Sequence, residues 1–208
     1  MIKIVFVDMS NTLVNGSGAN SGGDFIGKGD LYGEIYPKYK AGEITMKELL
    51  KNTFACWKGL KISDLPKVFE RFEFNQGAKE TIMKIKHEGI KTVLLTQIPI
   101  QLGELFKKNI GFDFITGTVL ETKNEVFTGK VLEFHDDKAK EAMQILEREK
   151  ISPGEAVSIG DRKDDAEVFK KVRFGISYKG DKNARKNAKY QIDDFRKLYE
   201  IIEKESNN

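Results

Sequence analysis

The sequence predicts an α/β protein with a doubly wound, mostly parallel sheet and a small helical cap inserted after the first strand. Short apolar runs without interruption, such as residues 4–7, are typical of strands that helices cover on both faces. In the second half such runs alternate with amphipathic stretches, which is the pattern of repeated β-α units. Between the first strand and this alternation lies a helical segment that shows no strand of its own.

Composition and charge exclude several classes of protein. Charged residues make up 32% and hydrophobic residues 39% of the chain, which is typical of a folded protein rather than a disordered one. The net charge of +3 is too small to indicate nucleic-acid binding. Cys56 is the single cysteine, so no disulfide can form within the chain, which fits a reducing compartment. With no signal peptide or membrane span, we expect a cytoplasmic protein without a membrane partner, and the oligomeric state stays open.

The first strand ends at an acidic residue. The apolar run 4–7 stops at Asp8, and in open α/β sheets ligands bind at the carboxyl ends of the strands. Asp8 is therefore a candidate nucleophile or metal ligand, although aspartate also favours ordinary turns. Residues 15–33 then hold seven glycines and predict a mobile loop that sustains neither a helix nor a strand. Because no G-x-x-x-x-G-K-[ST] pattern is present, a lid or hinge is favoured over a nucleotide-binding loop.

A helical module follows over about residues 31–72. One helical face carries most of its large apolar residues, namely Ile44, Leu49, Leu50, Phe54 and Trp57. Residues 63–66 are typical of a helix start with proline in the first turn. We expect the Met, Phe and Trp side chains to form the core of this module rather than a substrate-binding surface. The predicted division is a catalytic core of residues 1–14 and 76–208, with 15–75 as hinge loop and cap.

The second half supplies the rest of the predicted sheet. Strands are predicted over 92–95, 112–115, 156–159 and, as the last one, 174–176, a β-hairpin over 118–132, and helices over 76–88, 100–108, 138–150, 166–172 and 195–204. Polar residues follow the strands at Thr96 and at Asp161, and Lys138 begins the helix before the second of these strands. Two further acids, Asp164 and Asp165, come shortly after.

Together these polar residues describe a phosphate site. A carboxylate such as Asp8 can attack phosphorus, and two or more carboxylates can hold a hard cation such as Mg²⁺. The Thr96 hydroxyl and the Lys138 ammonium can bind phosphoryl oxygens as their charge shifts during transfer. Asp164 and Asp165 alone would indicate only the solvated first turn of a helix, where acids are favoured.

The order of these motifs resembles the haloacid dehalogenase superfamily of phosphohydrolases, and within it the phosphoserine phosphatase-like branch with a helical cap after the first strand. The first family motif, Asp-x-Asp-x-Thr, is matched by residues 8–12 except at its second aspartate, where Ser10 stands. The remaining motifs match Thr96 at a strand end, Lys138 (more weakly Lys140), Gly160-Asp161 and, four residues on, Asp165. The similarity covers nearly all of the predicted core and is weak in the cap.

The resemblance implies a Mg²⁺-dependent phosphatase acting on a small phosphorylated substrate. Asp8 would attack phosphorus and form an aspartyl-phosphate. Thr96, Gln97 and Lys138 would bind the phosphoryl group. The implied metal ligands are Asp8, the backbone carbonyl of Ser10, Asp161 and, directly or through water, Asp165. The cap would close over the site and exclude water.

Three departures from the family pattern bear on the activity. Ser10 replaces the aspartate that protonates the leaving group and activates water, and a missing general acid–base typically costs about 10²–10⁴-fold. Gln97 and Ile98 stand where the branch usually carries glycines. The Glu and Arg that grip phosphoserine correspond to Ser17 and Thr53, so phosphoserine is a disfavoured substrate. We therefore expect a slow phosphatase for another metabolite, with a phosphotransferase or a non-catalytic phosphate-binding relative as alternatives.

Overall fold

The chain forms one parallel sheet, a separate hairpin and surrounding helices in a computed structural model that describes residues 1–28 and 31–206. The strands are β1 (Ile4–Val7), β2 (Lys91–Leu94), β3 (Phe114–Ile115), β4 (Val119–Lys123), β5 (Val126–Glu133), β6 (Ala156–Gly160), β7 (Phe174–Tyr178) and β8 (Tyr190–Ile192). The α-helices are α1 (Ser21–Phe25), α2 (Leu31–Lys40), α3 (Met46–Ala55), α4 (Leu65–Glu70), α5 (Ala78–His87), α6 (Ile100–Ile110), α7 (Lys138–Glu149), α8 (Lys163–Phe169), α9 (Lys182–Asn187) and α10 (Lys197–Ser206). Two short 3-10 helices cover Ile62–Asp64 and Pro153–Glu155.

The six strands of the sheet follow the order β3-β2-β1-β6-β7-β8, and each neighbouring pair is parallel. The chain builds outward from β1 to β3, then returns to the other side of β1 and continues to β8. The strand order therefore reverses between β1 and β6, and in open α/β sheets the crevice at such a reversal binds ligands. This topology confirms the predicted fold class.

Helices cover both faces of the sheet. The alternating side chains of β1 divide between two hydrophobic clusters: Val5 and Val7 belong to one, Ile4 and Phe6 to the other. The first cluster includes buried residues of α5, α6 and α10, and the second includes residues of α7 and α8. All four β1 side chains are fully buried, which explains why the strand reads as a continuous apolar run instead of an alternating one.

The helical segment leaves and rejoins the sheet layer through two connections that lie side by side. Val14 forms a β-bridge with Phe74, and the Asn15 N–H donates to the Glu73 carbonyl at 2.8 Å. The Asn75 side-chain amide donates to the carbonyl of Thr12 at 2.8 Å. α1 to α4 lie between these connections, as predicted for an inserted segment, while the division of the chain into two domains stays a prediction.

The β4–β5 hairpin packs against this helical segment. Its two-residue turn, Asn124 and Glu125, has φ values of 50° and 61°, the left-handed pair that a tight hairpin needs. Phe127 accepts a hydrogen bond from Gly59 N–H and donates one to the Leu60 carbonyl, both at 2.9 Å. Its ring meets the edge of Trp57 at a centroid distance of 5.5 Å. The predicted hairpin is confirmed. It comes from the second half of the chain but packs against the helical segment of the first half.

Three predictions about individual elements were wrong. The glycine-rich stretch contains helix α1, because Gly22 and Gly23 leave room for Trp57 and Cys56: a Cβ atom at Gly22 would lie 2.4 Å from the Trp57 ring. Strand 174–176 is not the last, since α9 and β8 follow it at the sheet edge. Helix α8 begins at Lys163 rather than at 166. The part of the glycine-loop prediction on residues 29 and 30 lies outside the described residues.

The sequence predicted no membrane span, and the helices of the structure can be compared with that prediction. Within residues 1–28 and 31–206, no helix has the length and apolar character that crossing a bilayer requires.

Candidate active site

The carboxyl ends of the three central strands bring the predicted site residues to one edge of the sheet. Strand β1 lies between β2 and β6, and Val7 is in register with Leu94 on one side and Ile159 on the other. The Asp8 N–H donates to the Ile159 carbonyl at 3.0 Å. Asp8, Thr96 and Asp161 therefore follow neighbouring strands and line the same cavity.

A buried lysine lies at the centre of this acidic cluster. Lys138 is the first residue of α7, whose start is capped by the Asp137 carboxylate. Its Nζ lies 2.6 Å from Asp8 Oδ1, 2.7 Å from Asp165 Oδ1 and 2.9 Å from Asp164 Oδ2. Burial alone would lower the pKa of Lys138, but these carboxylates hold its pKa well above the ordinary value. The ammonium is thus charged.

The structure decides between the two lysine candidates of the sequence. The Lys138 side chain is only 5% exposed and reaches the carboxylates, whereas Lys140, two residues further along the same helix, is exposed. Lys138 is therefore the lysine that the fold places in the cluster.

Asp165 fixes the loop that follows β6. Its Oδ2 accepts hydrogen bonds from the backbone N–H groups of Asp161 and Arg162, at 3.0 and 3.1 Å, while Oδ1 accepts from Lys138. A Cβ atom on Gly160 would lie 2.2 Å from the Asp165 carboxyl carbon. Glycine at position 160 is therefore a requirement of close packing, and Asp165 has both oxygens engaged by donors.

The acidic oxygens form a donor set that fits a hard divalent cation. One carboxylate oxygen each from Asp8, Asp161 and Asp165 lies within 4.8 Å of the other two. Among the described residues, the buried oxygens Asp8 Oδ2 and Asp161 Oδ1 have no hydrogen-bond partner. Burial and the neighbouring Asp8 carboxylate raise the pKa of Asp161 to about 7, so a cation at this position would relieve the repulsion of the carboxylates.

Polar groups suited to phosphoryl oxygens face the same cavity, which has a volume of about 350 Å³. The backbone of Thr96 is fixed by Thr116, whose hydroxyl accepts from the Thr96 N–H at 2.9 Å and donates to its carbonyl at 2.8 Å. The buried Gln97 Nε2 lacks a hydrogen-bond partner among the described residues. Both residues line the cavity with Lys138, and their role as a phosphate-binding set stays a prediction.

Ser10 and Ser17 line the cavity, whereas Thr53 does not. The Ser10 hydroxyl oxygen accepts a hydrogen bond from the Gly18 N–H at 3.0 Å, which ties the loop after β1 to the glycine-rich stretch. The Thr53 hydroxyl is buried inside α3 and donates to the Leu49 carbonyl at 2.9 Å. Of the two cap positions expected to replace charged substrate ligands, only Ser17 is therefore placed to meet a substrate.

Arg162 and tyrosines of α2 form a further set of residues beside the acidic cluster, which no sequence motif indicated. Arg162 Nη1 donates to the Tyr32 hydroxyl at 2.7 Å, and its guanidinium lies 4.7 Å from the centroid of the Tyr36 ring. Arg162 Nε lies 3.3 Å from Asp161 Oδ2. Burial raises the pKa of Tyr32 to about 12, so its hydroxyl is neutral and can accept this bond. The spacing of Tyr32, Tyr36 and Tyr39, which places them on one helical face, was the available signal.

Comparison with known proteins identifies the family. The haloacid dehalogenase-like hydrolase model matches residues 5–170. The chain is 27% identical over 203 residues to the phosphoserine phosphatase of Streptococcus thermophilus, covering 96% of this chain and 94% of that protein. It is also 27% identical over 179 residues to the phosphoserine phosphatase of Archaeoglobus fulgidus. That alignment covers 85% of this chain but only 52% of the relative's length.

A solved structure shares the fold. It is described as a phospho-aspartyl intermediate analogue of phosphoserine phosphatase and superposes with a TM-score of 0.83 at 22% identity, covering 96% of this chain and 98% of that chain. The matched family model, the two relatives and this structure agree: the chain belongs to the haloacid dehalogenase-like hydrolases, in their phosphoserine phosphatase-like branch.

Proposed function

We propose that this hydrolase is a Mg²⁺-dependent phosphatase that cleaves a small phosphorylated metabolite through an aspartyl-phosphate on Asp8. The observation that carries the proposal is the buried Lys138 ammonium, which contacts Asp8 directly beside the unpartnered oxygens of Asp8 and Asp161. A fixed positive charge next to a carboxylate in a cavity matches the demands of phosphoryl transfer, where positioning and charge stabilisation supply most of the catalysis. The names of the two relatives support phosphate-monoester chemistry.

In the first step an Asp8 carboxylate oxygen attacks phosphorus, the bond from phosphorus to the leaving oxygen breaks, and that oxygen departs with its electron pair. Lys138 holds Asp8 Oδ1 and so fixes the nucleophile. Thr96 and Gln97 bind the phosphoryl oxygens from the next strand end. A Mg²⁺ ion bound at this site would neutralise charge on the phosphoryl oxygens.

The second step is hydrolysis of the aspartyl-phosphate by water, and Ser10 makes it slow. A serine hydroxyl is no general base near neutral pH, and its oxygen already accepts one hydrogen bond, from the Gly18 N–H. The leaving group likewise finds no acid at position 10 and must take its proton from solvent. This arrangement also supports the phosphotransferase alternative, in which an acceptor other than water takes the phosphoryl group.

The metal ligands follow from the hydrogen bonds of the carboxylates. We assign direct metal contact to Asp8 and Asp161, because each keeps one buried oxygen without a partner among the described residues. The Ser10 carbonyl completes the set that the family resemblance implies. Asp165 already accepts three hydrogen bonds, so its contribution runs through water and through the placement of Lys138.

We further propose that residues 15–75 act as a cap that closes over the cavity, with the paired connections near residues 14 and 74 as its hinge. Closure would exclude water from the first step. A cytoplasmic location fits this role and the single cysteine.

Release of inorganic phosphate from a panel of phosphorylated metabolites, with and without Mg²⁺, tests the proposal. We expect Mg²⁺-dependent release that Asp8→Asn abolishes. Intact-mass measurement of the quenched enzyme should show a phosphoryl group on the wild-type protein and none on Asp8→Asn. If phosphate or a phosphate mimic binds but neither release nor the covalent adduct occurs, the non-catalytic binding alternative is correct.

A further inference from the structure

Helix α2 carries three tyrosines: Tyr32 packs, partly buried, against the hydrophobic core, whereas Tyr36 and Tyr39 do not belong to that core. None of its residues is buried, although each of the other cap helices contributes buried residues. Tyr32, Tyr36 and Tyr39 follow the i, i+4, i+7 spacing, so they share one face of the helix. All three are half-buried and line the cavity above Asp8 and Asp161. Part of their aromatic surface therefore faces the cavity.

The tyrosine rings form a connected aromatic wall. Tyr32 and Tyr36 stack with a centroid distance of 5.0 Å and an interplanar angle of 16°, and Tyr39 follows at 6.0 Å from Tyr36. Arg162 fixes the first two rings, through its hydrogen bond to Tyr32 and its guanidinium over Tyr36. Arg162 directly follows Asp161, so the wall is held at a fixed position relative to the proposed metal site.

Apolar side chains supply further lining of the same cavity. Ala19 comes from the segment before α1 and Ile44 from the loop between α2 and α3. The others belong to α3 and are Met46, Leu49 and Leu50. Aromatic rings and aliphatic chains lining one cavity suit a flat, uncharged group, which buries apolar surface and can stack on tyrosine. A volume of about 350 Å³ is enough for such a group together with a phosphoryl group.

The charges around the cavity disfavour a cationic ligand. Three basic side chains, Lys40, Arg162 and Lys163, line it besides Lys138. Among the described residues of 15–75, no carboxylate lines it. Its acids lie on the core side: Asp8 and Asp164 contact Lys138, Asp161 contacts Arg162, and Asp181 accepts from the N–H groups of Asn183 and Ala184, while the unpartnered oxygens of Asp8 and Asp161 are the ones assigned to the metal. An ammonium group on the leaving group would face these basic side chains, and no carboxylate among the described residues of 15–75 would pair with it.

We infer that the natural substrate of the proposed phosphatase is a phosphate monoester whose leaving group carries a planar aromatic ring and no cationic amine. The inference rests on the proposed function and names its substrate class. The ring stacks on the wall of Tyr32, Tyr36 and Tyr39, while the phosphoryl group lies at Asp8 and Lys138. The ring is attached either directly to the carbon bearing the phosphate or through a sugar, as in a nucleoside 5′-monophosphate.

Substrate pairs that differ chiefly in the ring, with leaving groups of closely similar acidity, test this inference. Benzyl phosphate and cyclohexylmethyl phosphate both release primary alcohols of similar size, and only the first has an aromatic face. We expect kcat/KM for benzyl phosphate to exceed that for cyclohexylmethyl phosphate by about tenfold, the scale of one stacked ring. Adenosine 5′-monophosphate against ribose 5-phosphate forms the second pair and shows whether the ring is held through a sugar.

Variants connect the preference to the wall. Tyr39→Leu keeps an apolar side chain of α2 but removes one ring, and it should lower the benzyl-to-cyclohexylmethyl ratio of kcat/KM severalfold. Tyr36→Leu should lower it as well. Tyr199→Leu is the matched control, because this half-buried tyrosine belongs to α10 and does not line the cavity. The ratio should stay at the wild-type value in the control.

Two results would overturn the inference while the proposed function stands: equal kcat/KM within both substrate pairs, or faster turnover of phosphocholine or phosphoserine than of any ring-bearing substrate. If no compound releases phosphate, the proposed function fails instead, and binding then decides the inference. Calorimetry with benzylphosphonate and cyclohexylmethylphosphonate, which no phosphatase can cleave, should still show tighter binding of the aromatic compound. Equal binding of the two phosphonates would also contradict an aromatic subsite.

Discussion

Gly18 donates its backbone N–H to the hydroxyl oxygen of Ser10 at 3.0 Å, and this bond defines the environment of the residue that we propose replaces a general acid–base aspartate. Ser10 lies in the loop after β1, two residues beyond Asp8, and lines the cavity. A carboxylate at position 10 would find the same N–H donor in place. The local backbone is therefore compatible with an aspartate there, although the chain carries a serine.

Replacing this serine by aspartate is expected to restore general acid–base catalysis. Ser10→Asp should raise kcat for an alkyl phosphate by about 10²-fold or more, because the new carboxyl can protonate a poor leaving group and activate water. An activated aryl phosphate should gain less if its first step is limiting, since its leaving group hardly needs a proton. Phosphate release from both compounds in the presence of Mg²⁺ measures the effect.

The control for this prediction is Asp8→Asn, alone and combined with Ser10→Asp. Both proteins should be inactive, because the nucleophile is gone. If folded Ser10→Asp binds Mg²⁺ yet releases no more phosphate than the parent, a slow phosphatase limited by position 10 is excluded. The favoured hypotheses would then be a non-catalytic phosphate-binding protein or a reaction that needs no acid at position 10.

Metal binding should depend on Asp161. Calorimetry of the wild-type protein should show Mg²⁺ binding, and Asp161→Ala should abolish it, because within the cluster of Asp8, Asp161 and Asp165 only Asp8 would keep an unpartnered buried oxygen. Asp136→Ala is a suitable control, since this aspartate is exposed and is not part of the cluster. Unchanged Mg²⁺ binding in Asp161→Ala would show that the ion is held elsewhere.

Lys138 should be needed for stability as well as for activity. Lys138→Met would leave Asp8 and Asp165 buried without their cation, and breaking a buried ion pair from one side typically costs about 3–5 kcal/mol. Urea unfolding in metal-free buffer should show a loss of this size in the free energy of unfolding. Lys140→Met, an exposed change on the same helix, should stay within about 0.5 kcal/mol of wild type. Equal losses in both variants would indicate a general helix effect.

The uncharged side chain at Ser17 should decide against phosphoserine. We expect kcat/KM for phosphoserine to be no higher than for 3-phosphoglycerate, which has a hydroxyl in place of the ammonium group, and no higher than for a simple aryl phosphate. Ser17→Glu adds a carboxylate to the cavity lining and should shift the first ratio toward phosphoserine by roughly tenfold, the scale of one charge-assisted hydrogen bond. A wild-type preference for phosphoserine would show that other residues bind its amine.

Gly22 should be a sensitive position of the helical segment. The Cβ of Gly22→Ala would lie 2.4 Å from the Trp57 ring, which is fully buried and is held by a hydrogen bond from Nε1 to the Ala19 carbonyl. Overpacking of this kind should lower the free energy of unfolding by about 1–3 kcal/mol. Gly154→Ala, where the nearest atom is 3.7 Å away, should change it far less. Thermal unfolding of the two variants measures the difference.

Local patterns were sufficient for the sheet and for much of the predicted site. The run at residues 4–7 indicated a strand buried on both faces, because only an apolar sequence can fill both sides of a central strand. Asp8, Thr96 and Asp161 could be assigned to one edge because parallel strands align their carboxyl ends. Gly111 ends α6, and Gly89 lies between α5 and β2. Both have the left-handed conformation that glycine favours.

Weak local signals explain the elements that the sequence did not show. Strand β8 has only three residues, and Ile192 is the single buried one, so no apolar run marks it. Helix α1 has two adjacent glycines, which local propensity counts against a helix. Its existence depends on Trp57, a residue more than 30 positions away in the chain, filling the space that the missing side chains leave.

The sequence by itself determined the fold class, the family resemblance and the order of Asp8, Thr96, Lys138 and Asp161, because strand and helix periodicity and short motifs are local properties of the chain. Tertiary structure decided which lysine enters the acidic cluster, where Thr53 points, and that Arg162 joins the site to the tyrosines of α2. These relationships join residues far apart in the chain, such as Arg162 and Tyr32. Their contacts arise only when the helical segment packs over the sheet edge, and no local pattern encodes that packing.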